Sequence, residues 1–437
     1  MSGSGQKLYR KARTLIPGGT QLLSKRPEMF LPEQWPAYYQ RATGIEVFDL
    51  DERRYLDFTH CGVGTCVLGF ADPDVNAAVI AAVQNGNMAT LNCPEEVELA
   101  ELLVELHPWA ENVRYARSGG EALSIAIRIA RAATGRERIA FCGYHGWSDW
   151  YLAANVQDPN SLDSHLLTGL SPAGVPAGLG GTAKPFNFNQ IEDLRRIVAQ
   201  SPEPLAAIVM EPMRSRDPDP AFLQEVRRIA TEQGAVLIFD EVTSGFRVTC
   251  GGVHMLYGVT PDMAVFAKAM SNGYPMAAII GIRDVMQAAQ DSFISSTYWT
   301  ERVGPTAALA TIRKYRRENV AAHLVEIGSA VRAGWEEAAR AAGLSLTVTG
   351  LAPLSTFQLL HDNPLPLVTL FNQEMLDRGY LAAPQFYTTY AHKHEHLGPY
   401  LEAVAGAFRV LAQAVAAGDA ASRLRGPVKH AGFQRLN

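Results

Sequence analysis

The sequence predicts an α/β protein whose mostly parallel sheet is covered by helices on both faces. Two observations carry this expectation. Short apolar runs rich in Ile, Val and Phe recur through the middle of the chain, at 139–144 (IAFCGY), 205–212 (LAAIVMEP), 235–242 (AVLIFDEV) and 277–282 (AAIIGI). Apolar runs of this length, without polar alternation, read as strands buried on both faces. Between them lie amphipathic stretches such as 121–135 (EALSIAIRIARAATG), whose apolar residues recur at helical spacing up to Gly135.

The 437 residues, 47% hydrophobic and 19% charged, can bury a large core. After about residue 305 the pattern turns helix-rich, with one strand expected at 344–350. The expected division is 1–60 as an N-terminal segment joining the small domain and the substrate entrance, 61–305 as the large domain, and 306–437 as the small one. A net charge of -5 argues against nucleic acid as the main partner. The opening MSGSGQKLYRKARTL lacks the apolar core of a secretory signal. No uninterrupted apolar stretch reaches roughly 18 residues, so no membrane span is expected. The five cysteines are odd in number and scattered, which fits reduced thiols and a cytoplasmic location. Residues 171–184 are dense in Gly and Pro and read either as a connector or as an active-site lid. The tail beyond Asp419, with Arg423, Arg425, Lys429 and Arg435, reads as a surface-laid terminus.

Four features carry chemistry. Asp240 ends the apolar run AVLIFD, where ligands bind in open α/β sheets; alone, it also fits a structural cap. Lys268 follows a second apolar run, flanked by Phe266, Ala267, Ala269 and Met270. A lysine so placed either snorkels or loses its proton, and the latter is what an amine nucleophile requires. Ser118, Gly119 and Gly120 form the turn before a helix, a backbone cradle for phosphate or a simple turn. Tyr144 and His145 follow a strand, where an aromatic face either stacks on a planar ring or packs a corner. Taken together they supply a phosphate cradle, an aromatic face, a carboxylate for a pyridinium nitrogen and a buried amine, the parts that pyridoxal phosphate (PLP) needs.

These residues sit within longer matching segments: PGG (17–19), GIEVFDLDERRYLDF (44–58), SGGEA (118–122), YHGW (144–147), VMEP (209–212), FDEVTSGFR (239–247), TPDMAVFAKAMSNGYP (260–275) and TERVGPTAALA (300–310). With them the chain resembles the class III aminotransferases, fold-type I PLP enzymes, and within them the glutamate-1-semialdehyde aminomutase-like branch. The resemblance implies a large domain with a seven-stranded, mostly parallel sheet and a smaller α+β domain built from both chain ends. It also implies a homodimer with shared active sites. Residue by residue it assigns the cofactor's Schiff base to Lys268 and its ring nitrogen to Asp240. Val242 and Tyr144 would lie on the two ring faces, Gly119 and Gly120 would bind phosphate through their amides, and Ser118, His145 and Glu211 would lie by the cofactor. Thr300 would reach the phosphate from the neighbouring subunit. Three departures stand out. Gly120 replaces the usual threonine of the phosphate turn, and Ser148 stands where relatives often carry histidine. In 20–36 (TQLLSKRPEMFLPEQWP), Arg26 lies near the place of the aminomutase's substrate arginine without aligning to it. Arg302 offers a second anionic contact or a surface ion pair.

The expected activity is an aminotransferase that takes an amino group from a donor, stores it as pyridoxamine phosphate and delivers it to an aldehyde or ketone. An intramolecular aminomutase is the alternative, with racemase or decarboxylase chemistry and a non-catalytic PLP-binding protein behind it. No metal is expected; the histidines of 391–396 (AHKHEH) read as a polar loop.

Overall fold

The computed structural model describes residues 3–165, 167–213 and 216–433. The chain divides into two units, one of residues 73–321 and one of 1–72 with 322–437. The divisions fall at 72 and 321, against the expected 60 and 305. The later one moves because the helix Val303–Arg317 packs inside the first unit, burying Ala307, Ala308, Ile312 and Tyr315.

The larger unit is built on seven strands: β1 (Asn112–Ala116), β2 (Ile139–Cys142), β3 (Ala183–Pro185), β4 (Ala207–Met210), β5 (Val236–Asp240), β6 (Met263–Phe266) and β7 (Ala277–Gly281). Their order is β1-β7-β6-β5-β4-β2-β3. Pairing is parallel from β3 through β6, and β7 alone runs antiparallel, to β6 and to β1. The AAIIGI run is therefore the one strand that departs from the parallel expectation. Every residue of β2, β4, β5, β6 and β7 is buried, which is why these strands read as continuous apolar runs. On one face the helix α1 (Gly119–Thr134) buries Leu123, Ile127 and Ala130, and Gly135 ends it in the left-handed conformation. On the other, the helix α2 (Phe222–Gln233) packs Leu223, Val226 and Ile229 over Ile208, Leu237 and Phe239.

The smaller unit holds two sheets. Tyr39–Thr43, Glu46–Asp49 and Arg54–Phe58 form an antiparallel meander to which Tyr380–Ala382 adds in parallel, and a three-stranded antiparallel sheet contains Leu346–Thr349, inside the span expected as strand. The helix His394–Ala417 is long and apolar enough to cross a membrane by length and composition. One of its faces places Tyr400, Val404, Phe408 and Leu411 in this unit's core against Trp335 and Phe357. That helix begins inside AHKHEH, so residues 394–396 are helical and only 391–393 match the expected loop. His392, just ahead of it, is buried, donates from Nε2 to the Asp57 carbonyl and accepts the Thr389 amide at Nδ1. In the tail, Arg425 pairs with Asp377 through both terminal nitrogens at 2.7 Å, and Arg435 lies outside the described residues.

Burial depresses five imidazoles: His323 and His396 lie below the ordinary value, and the deepest shifts bring His107 and His165 to about 4 and His392 to about 3. They stay neutral in the folded chain while the unfolded chain takes up protons below its ordinary value near 6.5. The unfolded state then binds more protons between pH 6.5 and 4, so their contribution to stability falls as pH drops through that window. Asp57 and Glu96, raised by burial, act in the opposite direction and are outnumbered. Urea midpoints should be lower at pH 5 than at pH 7.5. The drop should shrink in H107Q, which keeps an acceptor for the Gly252 amide.

Candidate active site

Register places the chemistry. Asp240 closes β5 opposite Val265 of β6, so Lys268 lies three residues past its partner on the neighbouring strand. Cys142 pairs with Met210, and Met210 with Phe239. β7 is antiparallel to both β1 and β6, so β1 points the same way as the parallel strands. Ser118, Tyr144, Glu211, Asp240 and Lys268 therefore all follow the carboxyl ends of strands at one edge of the sheet, where such folds bind ligands.

Asp240 is 3% exposed, and both of its oxygens are engaged. Oδ2 lies 2.7 Å from His145 Nδ1, and Oδ1 accepts the Val242 amide at 3.0 Å. His145 is itself buried, with Nε2 3.1 Å from the Cys142 carbonyl. A carboxylate fixed in this way in a water-poor pocket favours a protonated partner. Beside it Glu241, fully buried and turned elsewhere, accepts from Ser244 Oγ and from His254 Nδ1 at 2.8 Å. His254 Nε2 accepts the Trp109 indole N–H at 3.0 Å, which leaves Nδ1 to donate to Glu241.

Lys268 has a φ of +46°, a left-handed backbone uncommon for a residue with a side chain. Its Nζ donates to Thr243 Oγ1 at 2.9 Å. The buried Arg247 supports the same turn, donating from Nε to the Thr243 carbonyl at 3.1 Å. The arginine of FDEVTSGFR thus braces the segment that meets the lysine.

Ser118 is the N-cap of α1 and forms a capping box with Glu121. Its hydroxyl accepts the Glu121 amide at 3.4 Å, and its own amide donates to Glu121 Oε2 at 3.0 Å. The helix therefore opens on the amides of Gly119 and Gly120. A Cβ on Gly119 would stand 2.9 Å from Val242 Cγ1, so only glycine lets this turn close over Val242. Arg117 fastens the turn from behind, with Nε 2.7 Å from Glu301 Oε1 and a guanidinium bond to the Glu301 carbonyl.

Tyr144 packs on the core beside α1, its ring edge-on to Tyr151 at 5.9 Å. Its amide donates to Glu211 Oε2 at 3.0 Å. The preceding Gly143 sits at φ +114°, a backbone strained for any residue with a side chain, and a Cβ there would press on that oxygen at 2.5 Å.

Thr300 is exposed, its hydroxyl bonded to the Thr297 carbonyl at 3.0 Å. Arg302 is engaged by Glu95, with Nε at 3.0 Å and a terminal nitrogen at 2.7 Å from one oxygen, so it forms the ion pair and not an open anion contact. Arg26 belongs to the smaller unit, with its guanidinium 5.9 Å from the Phe433 ring centre. The Gly- and Pro-rich segment 171–184 contains a 3-10 turn at Ala177–Leu179 and leads into β3. Sequence reading passed over Thr243, Tyr151, His165 and Glu121. Only Glu121 had a signal, the spacing Ser-x-x-Glu.

The residues fit PLP. A fixed buried carboxylate, a lysine just past the neighbouring strand, a helix opening on two glycine amides and an aromatic ring converge at one edge of the sheet. A family model described as Aminotransferase class-III matches residues 32–359. A 3-aminobutyryl-CoA aminotransferase of Cloacimonas acidaminovorans (strain Evry) is 30% identical over 410 residues, 91% of this chain and 94% of that protein. A 2'-deamino-2'-hydroxyneamine transaminase of Streptomyces kanamyceticus is 35% identical over 321 residues, 73% of this chain and 77% of that protein. The solved PLP internal aldimine form of the FumI protein of Sphingopyxis sp. MTA144 is 28% identical, with a TM-score of 0.86 over 95% of this chain and 98% of that one. With its strand-edge site and its family match over most of its length, the chain belongs to the class III aminotransferases, PLP-dependent enzymes that pass an amino group from a donor to a carbonyl acceptor.

Proposed function

We propose that Lys268 and Asp240 are the catalytic pair of an intermolecular aminotransferase, with Ser118, Gly119, Gly120, Tyr144, His145, Glu211 and Val242 lining its cofactor pocket. The observation that carries this is the placement of Asp240 and Lys268 past the paired ends of β5 and β6. Bound there, PLP supplies a carbonyl that takes up the donor's amino group and a ring that accepts the electron pair released at the donor's Cα. Asp240 holds a proton on the ring nitrogen, and His145, donating to Asp240, keeps the carboxylate oriented. Lys268 Nζ takes the proton from the donor's Cα, and Thr243 Oγ1 sets the amine's position. Gly119 and Gly120 would hold the phosphate by their amides, and Val242 and Tyr144 would lie against the ring. Arg302 is committed to Glu95 and is not offered as the substrate contact.

We further propose a cytoplasmic homodimer in which Thr300 serves the neighbouring subunit's phosphate. The exposure of Thr300 supports this, as do the exposed Leu91, Phe293 and Tyr298. The odd number and wide scatter of the five cysteines support a reducing compartment. Intermolecular transfer is preferred to the aminomutase because both curated relatives are named for transfer between molecules.

The decisive assay measures amino transfer from a panel of donors to a panel of aldehydes and ketones, with glutamate-1-semialdehyde alone as the aminomutase arm. Transfer should be present in the wild type and absent in K268A, and about 100-fold or more slower in D240N. No transfer with any pair would sink the reading, and 5-aminolevulinate from glutamate-1-semialdehyde alone would replace it with the aminomutase.

G119V should keep the fold's circular dichroism yet bind PLP at least about tenfold more weakly, because its side chain displaces Val242 and opens the turn. Equilibrium dialysis of PLP against the apo-protein measures this. For the dimer, sedimentation should give twice the chain mass, and T300A should weaken PLP binding without changing that mass.

A further inference from the structure

The turn that carries Tyr144 is held from three sides. The Gly143 carbonyl accepts Tyr151 Oη at 3.2 Å, and the Tyr144 amide donates to Glu211 at 3.0 Å. The third hold is unexpected. The Gly143 amide donates to Nδ1 of His165 at 3.2 Å, a residue 22 positions further along the chain. His165 lies in the connection between the short helix Ala154–Gln157 and β3, the stretch that continues into the Gly- and Pro-rich segment.

This part of the connection is anchored. Asn155, fully buried, donates from Nδ2 to the Leu170 carbonyl at 2.7 Å and accepts the Leu162 amide at 3.0 Å, so its side chain brackets His165 on both sides. Leu162 is buried in the core formed by β2 and α1. The His165 ring lies 5.8 Å, centre to centre, from Phe141 of β2. An amide N–H can only donate, so Nδ1 must be the bare nitrogen of a neutral ring. Burial pushes this imidazole down to about 4, so that lone pair is present throughout the neutral range.

We propose that His165 is a positioning residue for the cofactor ring: by accepting the Gly143 amide it fixes the turn that presents Tyr144. This rests on the reading that Tyr144 faces the cofactor. The bond acts on backbone one residue away from the aromatic ring. The other two holds come from the helix after the turn and from the end of β4. The histidine therefore ties the connection after the YHGW turn to the cofactor pocket. Without it the Gly143 amide is left unpaired in a part-buried site, and the peptide is free to rotate toward another acceptor.

Two variants separate this role from packing. H165F keeps an aromatic ring against Phe141 and has no acceptor. H165N gives up the ring and places an amide oxygen at the position of Nδ1. The holoenzymes are compared by the visible circular dichroism of bound PLP and by the rate of PLP release into a scavenger, with melting of the apo-proteins as a fold control. H165F should release PLP about tenfold faster with an altered visible band, and H165N should stay within about twofold of the wild type. Equal behaviour of the two variants, whether both impaired or both unchanged, would overturn the proposal. A wild type that takes up no PLP would overturn the functional reading as well, whereas normal uptake with indifferent variants strikes His165 alone.

Discussion

The structure depends on one buried carboxylate. Asp240 ends a strand with no polar residue before it, at a depth where an unpaired charge is costly. The His145 ring and the Val242 amide take its two oxygens, and both partners are thereby fixed as well. His145 cannot be held without the turn after β2, and Val242 cannot sit there unless residue 119 is glycine. The sheet's register then brings Lys268 past the end of the adjoining strand. Pocket and fold share these contacts, so the polar residues at the sheet edge are as much part of the architecture as the apolar strands.

The apolar strands were legible because both their faces are covered. No alternation was needed, and the runs in the sequence stand where β2, β4, β5 and β7 stand. The direction of β7 was not legible, since an isolated buried run carries no sign of which way its neighbours point. The placement of Asp240 and Lys268 past neighbouring strand ends follows from their spacing and from the apolar runs that precede them. Thr243 and His165 could not be read in this way. Each meets its partner across more than twenty residues, and Thr and His are ordinary loop residues until the fold has closed. Arg302 shows the same limit: its pairing with Glu95 spans 207 positions, and nothing around either residue announces the other.

A second theme is how often the proposed cofactor pocket is built from backbone held by side chains. The Gly143 carbonyl, the Gly143 amide, the Tyr144 amide, the Val242 amide and the Thr243 carbonyl each have a side-chain partner. Strand ends leave such groups without ladder partners, and the sheet edge is where the ligand enters. Side-chain clamps satisfy the groups and stiffen the pocket in the same stroke.

The left-handed backbone of Lys268 has an evolutionary consequence. Glycine or asparagine takes up that conformation at about 1 kcal/mol less cost than lysine does. Selection for folding alone would therefore drift this position away from lysine, and a library of variants ranked only by thermal stability would enrich proteins that have lost their amine. A lysine kept at 268 despite that cost is what the proposed role of its amine requires.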